Sequence, residues 1–263
     1  MAKLNKKYVL LSFDVEEFDL PLEYGLKITE EEQFAISKEG LTSLLKLLDS
    51  LNIRATLFTT ATFAMKYQKL IKQAAVKHEI ASHGLNHKYP TDADILESKK
   101  ILEEITGTKI KGFRCPRLQK INEENLSLSG FSYNSSENPI YLPGRYNNFF
   151  KRRTAYISNY NILNIPVSAS PIVRFPLFWL AFKNLPLPVI KFFSKWTLFN
   201  DKYLNIFYHP WEFSDLTSFD LPGIIKKHDN NAMLKRLENY LLYLQTLNVS
   251  FITMRKFDNM IRK

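Results

Sequence analysis

Short, continuously apolar runs alternate along this chain with stretches in which apolar residues recur every three or four positions, and that alternation predicts parallel βα units. Residues 8–13 read as a first strand. Ser37 then reads as a helix N-cap, with Leu41, Leu44, Leu45 and Leu48 at i, i+3, i+4 and i+7 on one apolar face. Residues 53–58 follow as a second strand, 61–77 as a helix, and 79–82 as a brief strand that runs into a glycine-containing loop. Thr91 is placed to cap a helix whose inner face carries Ile95, Leu102 and Ile105; Gly107 ends it, and residues 110–113 form the next strand. Near the C-terminus a strand at 203–208 precedes a helix bearing Leu234, Leu237, Leu241, Leu244 and Leu247, then a strand at 249–253 and a short helix after Met254. Between about 130 and 170 the pattern dissolves into Asn, Ser, Pro and Tyr, with short β-like pieces such as 161–167.

Composition narrows the class. With 263 residues, 45% hydrophobic and 24% charged, one globular domain over 1–263 is expected, because α/β barrels often run to about 250 residues. The single cysteine, Cys115, excludes an internal disulfide framework and suits a reducing compartment. Residues 1–7 are basic, but the apolar run at 8–11 is shorter than the roughly 7 to 15 residues of a secretory signal and Asp14 follows closely, so a cytoplasmic location is the expectation. The net charge of +10 favours polyanions, anionic headgroups or phosphorylated ligands. Nucleic acid is not expected as a partner: the Lys and Arg residues are dispersed and no zinc-finger, helix-turn-helix or RNA-binding signature gathers them.

Four segments place unusual polar residues just past the end of a predicted strand: Asp14-Val15-Glu16-Glu17, His83-Gly84-Leu85-Asn86-His87, Arg114-Cys115-Pro116-Arg117 and His209-Pro210-Trp211-Glu212. In a parallel barrel those ends share one face, where active sites lie. His83 and His87, four apart with Gly84 between, suit convergence on one cation, although the spacing alone is common in ordinary loops. Strand alternation turns Asp14 and Glu16 to the same side, so that one acid can bind a metal while the other takes a proton from water; a solvated acidic loop is the bland alternative. Arg114 suits pairing with a buried carboxylate, against the reading of a plain surface arginine. His209, set between Tyr208 and Pro210-Trp211, suits a positioned general acid or a core histidine.

With those segments in place the chain resembles the polysaccharide deacetylases, carbohydrate esterase family 4 with its NodB-like homology domain, over nearly its whole length and in motif order. Leu11-Ser12-Phe13-Asp14-Val15-Glu16 resembles the first motif, Ser82-His83 to His87 the metal-binding motif, Gly112-Phe113-Arg114-Cys115-Pro116 the groove motif and Tyr208-His209-Pro210-Trp211-Glu212 the last. Within the family it is most similar to a branch marked by Asp-Val-Glu, Tyr-Asp-Ser-Ser and His-Pro-Trp-Glu. Two departures stand out. The acidic ligand candidate is Glu16, two positions after Asp14 rather than beside it, with Glu17 as the alternative. Tyr133-Asn134-Ser135-Ser136 carries Asn where the branch has Asp, which removes a charge there.

The resemblance implies an α/β fold, a distorted and incomplete (β/α) barrel, and removal of an N-acetyl or related N-acyl group from an amino sugar in a polysaccharide, peptidoglycan-type or lipid-linked saccharide. It implies Glu16, His83 and His87 as ligands of one divalent ion, Zn²⁺ before Co²⁺, Ni²⁺ or Mn²⁺. It implies Asp14 as base, steadied by Arg114, and His209 as acid; the backbone N–H of Arg117 serves the oxyanion and Trp211 lies at the substrate.

Residues 172–199 form an apolar, aromatic insertion containing Phe175, Phe178, Trp179, Phe182, Phe192, Phe193, Trp196 and Phe199, interrupted by Arg174, Lys183, Lys191, Lys195 and three prolines. That is too broken for a membrane span of about 20 residues. It suits a lid, packing against the barrel, or an interfacial segment on anionic lipid at the inner membrane face, where a lipid-linked sugar would be presented. Two rival functions remain open at this point: a metal-free glycosidase using Asp14 and Glu212, and a non-catalytic carbohydrate- or lipid-binding protein.

Overall fold

In the computed structural model the described residues are 4–142, 146–228 and 230–263, which leaves the first three residues of the basic start outside them. The strands in chain order are β1 Lys7–Val15, β2 Thr56–Thr59, β3 Glu79–Ser82, β4 Gly112–Phe113, β5 Tyr133–Asn134, β6 Tyr141–Leu142, β7 Tyr146–Asn147, β8 Tyr156–Ile157, β9 Leu163–Asn164, β10 Tyr203–Tyr208 and β11 Val249–Phe251. β6 and β7 form a small antiparallel pair. The other nine make one curled sheet in the order β10-β1-β2-β3-β4-β5-β9-β8, with β11 added to β1. All its pairings are parallel except β8 with β9.

β1 is central, and it reads as an almost unbroken apolar run because both of its faces are covered. β10 lies along it from Tyr8 to Phe13, while β11 pairs at Lys7–Val9 and β2 at Ser12–Val15. Its alternation separates two cores. Val9, Leu11, Phe13 and Val15 join the large outer cluster with the flanking helices, whereas Leu10 faces an inner cluster with Phe58, Ala81, Tyr133, Leu163 and Tyr203. Met254, Phe257 and Ile261 of the C-terminal helix Met254–Ile261 complete that inner cluster. Asp14 and Glu16 continue the side of Leu10, beyond the apolar filling.

Among the described residues the ring does not close by strand pairing. Between β9 and β10 the chain at Ser168 exchanges hydrogen bonds with Asn205, whose backbone N–H donates to Ser168 Oγ (2.8 Å) and whose carbonyl accepts from Ser168 N (2.9 Å). The Asn205 amide also donates to the carbonyls of Ile165 (3.0 Å) and Pro166 (3.1 Å). A buried polar side chain thus satisfies backbone that a strand would otherwise have paired. This is the distorted, incomplete (β/α) barrel expected.

Several boundaries differ from the sequence reading. The first long helix is Glu30–Ser50, not one that starts at Ser37: Thr29 and Glu32 form a reciprocal capping box, three acids fill the first turn, and Ser37 is buried within. The helix expected at 61–77 breaks into Ala61–Lys66 and Gln68–Ala74 at Tyr67 (φ −125°, ψ 46°), whose ring packs on Phe34 and Phe63. Thr91 and Gly107 bound the helix Asp92–Thr106 as expected, with Gly107 left-handed at φ 67°. The 172–199 stretch folds mainly as two helices, Trp179–Asn184 and Leu187–Asp201, separated at Pro186, the second running two residues past the stretch.

Candidate active site

The C-terminal ends of β1, β3, β4 and β10 deliver the four polar segments to one cavity of about 190 Å³. Asp14, Glu16, His87, Arg117, His209 and Trp211 line it, with Phe178 and Trp179 contributed by the segment between β9 and β10. Glu16 and His83 are almost fully buried. The loop after β3 can double back because Gly84 sits at φ 85°, a region that L side chains avoid.

Glu16 Oε2 lies 3.0 Å from His83 Nε2 and 3.1 Å from His87 Nε2, and one donor atom from each of the three residues falls within 4.8 Å of the others. Four-coordinate zinc, with bonds of about 2.0–2.1 Å, spaces its donors by about 3.3 Å. Each imidazole is also held from behind. His83 Nδ1–H donates to the carbonyl of Arg114 (2.8 Å) and His87 Nδ1–H to Asp19 Oδ1 (2.8 Å), which turns both Nε2 atoms toward Glu16. Oriented imidazoles with backing acceptors, beside a carboxylate, fit a divalent cation. Glu17, the alternative ligand, turns away and accepts hydrogen bonds from the hydroxyls of Thr60 and Thr62; its carboxyl titrates above the usual range because burial outweighs those bonds.

Charge is concentrated here. Burial alone would raise the Glu16 carboxyl, but the imidazoles of His87, His209 and His83 outweigh it and hold the group well below the ordinary carboxylate range. Burial pulls His87 down, yet Glu16 and Asp19 together raise it to about 9. His209 is likewise raised against its burial, by Glu16, Glu212 and Asp14.

Arg114 is fully buried and every arm is used: Nη1 donates to Asp14 Oδ1 (2.6 Å), Nη2 to Ser135 Oγ (2.9 Å) and Nε to the Ser135 carbonyl (3.1 Å), while Phe58 stacks on the guanidinium at 4.1 Å. The ion pair fixes Asp14 at the cavity wall. His209 is caged by aromatic rings, with Trp211 stacked at 4.8 Å and Trp179 edge-on at 5.2 Å. Its Nδ1 faces Glu212 Oε1 (3.1 Å), and its Nε2 points toward Glu16 at 3.9 Å. The Pro210–Phe213 turn that follows sits against Gly40, where an added Cβ would come within 1.8 Å of the Pro210 carbonyl.

Asp14, Glu16, His83, His87, Arg114, Arg117, His209 and Trp211 therefore meet at one place, with unforeseen neighbours. Trp211 Nε1–H donates to Glu16 (3.2 Å) as well as walling the cavity. The Arg117 guanidinium bonds Asp19, Glu23 and the His87 carbonyl. Asp19 was missed because it lies outside any motif, and Ser135 because only its neighbour Asn134 attracted notice. Asn134 spends its amide on Asn164 and its oxygen on Ser136. Glu212 is fully buried behind His209 and does not line the cavity. It therefore forms no carboxylate pair across it with Asp14, as a glycosidase would need.

Residues 2–129 match the family model described as "Polysaccharide deacetylase". No curated protein matches the sequence. Among solved structures the fold is similar to a putative polysaccharide deacetylase from Mycobacterium smegmatis, with 17% identity and a TM-score of 0.70 over 100% of this chain and 93% of that one. It is also similar to Puue allantoinase, at 18% identity and TM-score 0.68 over 98% and 91%. A probable polysaccharide deacetylase from Pseudomonas aeruginosa PAO1 gives 18% and 0.66 over 96% and 89%. At these identities the likeness establishes a shared fold.

Proposed function

We propose, from the match of residues 2–129 to the polysaccharide deacetylase model, that this protein is a divalent-metal-dependent hydrolase that removes an N-acyl group, acetyl above all, from an amino sugar in a polysaccharide or lipid-linked saccharide. The observation that carries the reading is the convergence of Glu16, His83 and His87 beside an Arg114-held Asp14 and a carboxylate-backed His209.

A divalent cation, zinc by its nitrogen and carboxylate donors, would be held by Glu16, His83 and His87 and would supply Lewis acidity, lowering the pKa of water from about 15.7 toward about 7. Asp14 accepts the proton of the attacking water, its carboxylate oriented by the ion pair with Arg114. The backbone N–H of Arg117 stabilises the oxyanion. His209 donates a proton to the leaving amine, and Glu212 on its Nδ1 side steadies the imidazolium before transfer. Trp211 holds Glu16 in place and presents an aromatic wall to the sugar, and Phe178 and Trp179 help to exclude water.

The test is acetate release from a panel of N-acetylated sugars, oligomers and lipid-linked saccharides. Activity should vanish on chelation and return with zinc. A protein that binds zinc stoichiometrically and releases no acetate from any of them refutes the reading and leaves a binding protein. The likeness to Puue allantoinase favours one second reading, hydrolysis of a cyclic amide at the same site. Turnover of allantoin in place of acetate release would decide for it.

A further inference from the structure

The outer face of the segment after β9 has no part in the chemistry above. Along the helix Leu187–Asp201, Ile190, Ser194, Thr197 and Leu198 are buried, while Phe192 and Phe199, seven positions apart on one stripe, are 62% and 73% exposed. Aromatic residues at that spacing normally face a core; here they face outward. Beside them the turn at 171–174 exposes Ile172 (76%) and Val173 (54%), with Ile172 at φ 61° and Arg174 at φ 55°. A β-branched residue in the left-handed region is rare and strained, and this one is held there with its side chain in solvent. Ring contacts join the parts: Phe175 stacks on Phe193 at 3.9 Å, Phe193 meets Phe192 at 5.2 Å, and Arg174 lies over Phe149, which abuts Phe150, 95% exposed. Phe192 is thus linked through Phe193 to Phe175, next in the chain to the turn at 171–174.

The sequence here is rich in bases: residues 138–200 contain eight Lys and Arg and no Asp or Glu, with Lys183 buried and Arg153 paired with Asp201 at the end of the helix. Lys195 is exposed on the same helix, and Lys202 lies 5.3 Å from the Phe199 ring. No helix among the described residues is long and apolar enough to cross a membrane. Exposed Phe and Ile beside lysines match the two components of an anionic bilayer surface: acyl chains for the rings and phosphate for the ammonium groups.

We propose that this face is an interfacial docking surface for an anionic lipid bilayer. The proposal is independent of the reaction catalysed and is tested by binding alone. The full chain should float with vesicles of phosphatidylcholine containing about 30% phosphatidylglycerol, more weakly in high salt, and not with phosphatidylcholine alone. K191Q together with K195Q should weaken binding about 30-fold, about fivefold per lysine. F192S with F199S should abolish flotation while leaving circular dichroism and zinc uptake unchanged. Absence of flotation with the unaltered chain overturns the proposal. So does a dimer that F192S and F199S dissociate in the absence of any vesicle binding, which would assign the face to a second copy of the chain.

Discussion

On one side of the cavity, β1, β3 and β4 bring Asp14, Glu16, His83 and Arg114 into a buried polar network in which carboxylates, imidazoles and guanidinium satisfy one another. On the other side the segment after β9 contributes Phe178 and Trp179 to the wall and leaves Ile172, Phe192 and Phe199 in solvent. The first region places charge where burial is costly, and the second places apolar surface where water is. In the first, removal of any member strands its partner without water, so effects should be large and local. In the second the outward rings touch only neighbouring side chains such as Phe193 and Lys202 and leave no buried charge or polar group to strand, so folding should be nearly indifferent and only an external contact should suffer.

That contrast yields a graded series. His209→Ala should lose about 10² to 10⁴ in deacetylation rate, because the amine departs without its proton; retained zinc, checked by metal analysis, separates this from collapse of the site. Arg114→Ala should destabilise by about 3–5 kcal/mol in denaturant titration, since Asp14 would stay buried without its counter-charge. A loss under about 1 kcal/mol there would erase the distinction between the two regions. Asp19→Ala should weaken zinc binding about 10- to 100-fold by releasing His87 Nδ1.

The pH dependence has a definite sign. With its pKa raised to about 9, His87 carries a proton at neutral pH in the metal-free protein, and that proton competes with the cation. Apparent zinc affinity should therefore rise with pH up to about 9, by at most about tenfold per unit for this one proton. Isothermal titration in buffers of different ionisation heat would detect the released proton. At the small end, Phe192→Ser should change unfolding free energy by no more than about 0.5 kcal/mol, and a cost of several kcal/mol would show that the ring is packed rather than presented.

Much of the first region was legible in the residues themselves. β3 and β10 fall where the apolar runs lie, and Thr91 and Gly107 bound their helix by cap chemistry that acts within a few residues. The side shared by Asp14 and Glu16 follows from strand alternation, a rule of backbone geometry. The second region and the stretch leading into it resisted because β8 and β9 are two residues long and the helix Leu187–Asp201 carries apolar groups on the outward face as well as the inward one. No periodicity survives such a mixture.

Local pattern and motif order, then, carried the element types, the barrel class and the set of polar residues worth watching, because propensity, capping and alternation operate over short separations. What folding alone decided is which of those residues touch. Glu16 faces the histidines while Glu17 faces two threonines; Asp19 backs His87; Asn205 bridges the open seam of the barrel. Gly40 is the plainest case. A mid-helix glycine is unfavourable by about 1 kcal/mol relative to alanine, and its reason, the Pro210 carbonyl pressed against it, lies 170 residues away in the chain. Contacts over such separations are set by how layers pack, and packing is a property of the folded whole.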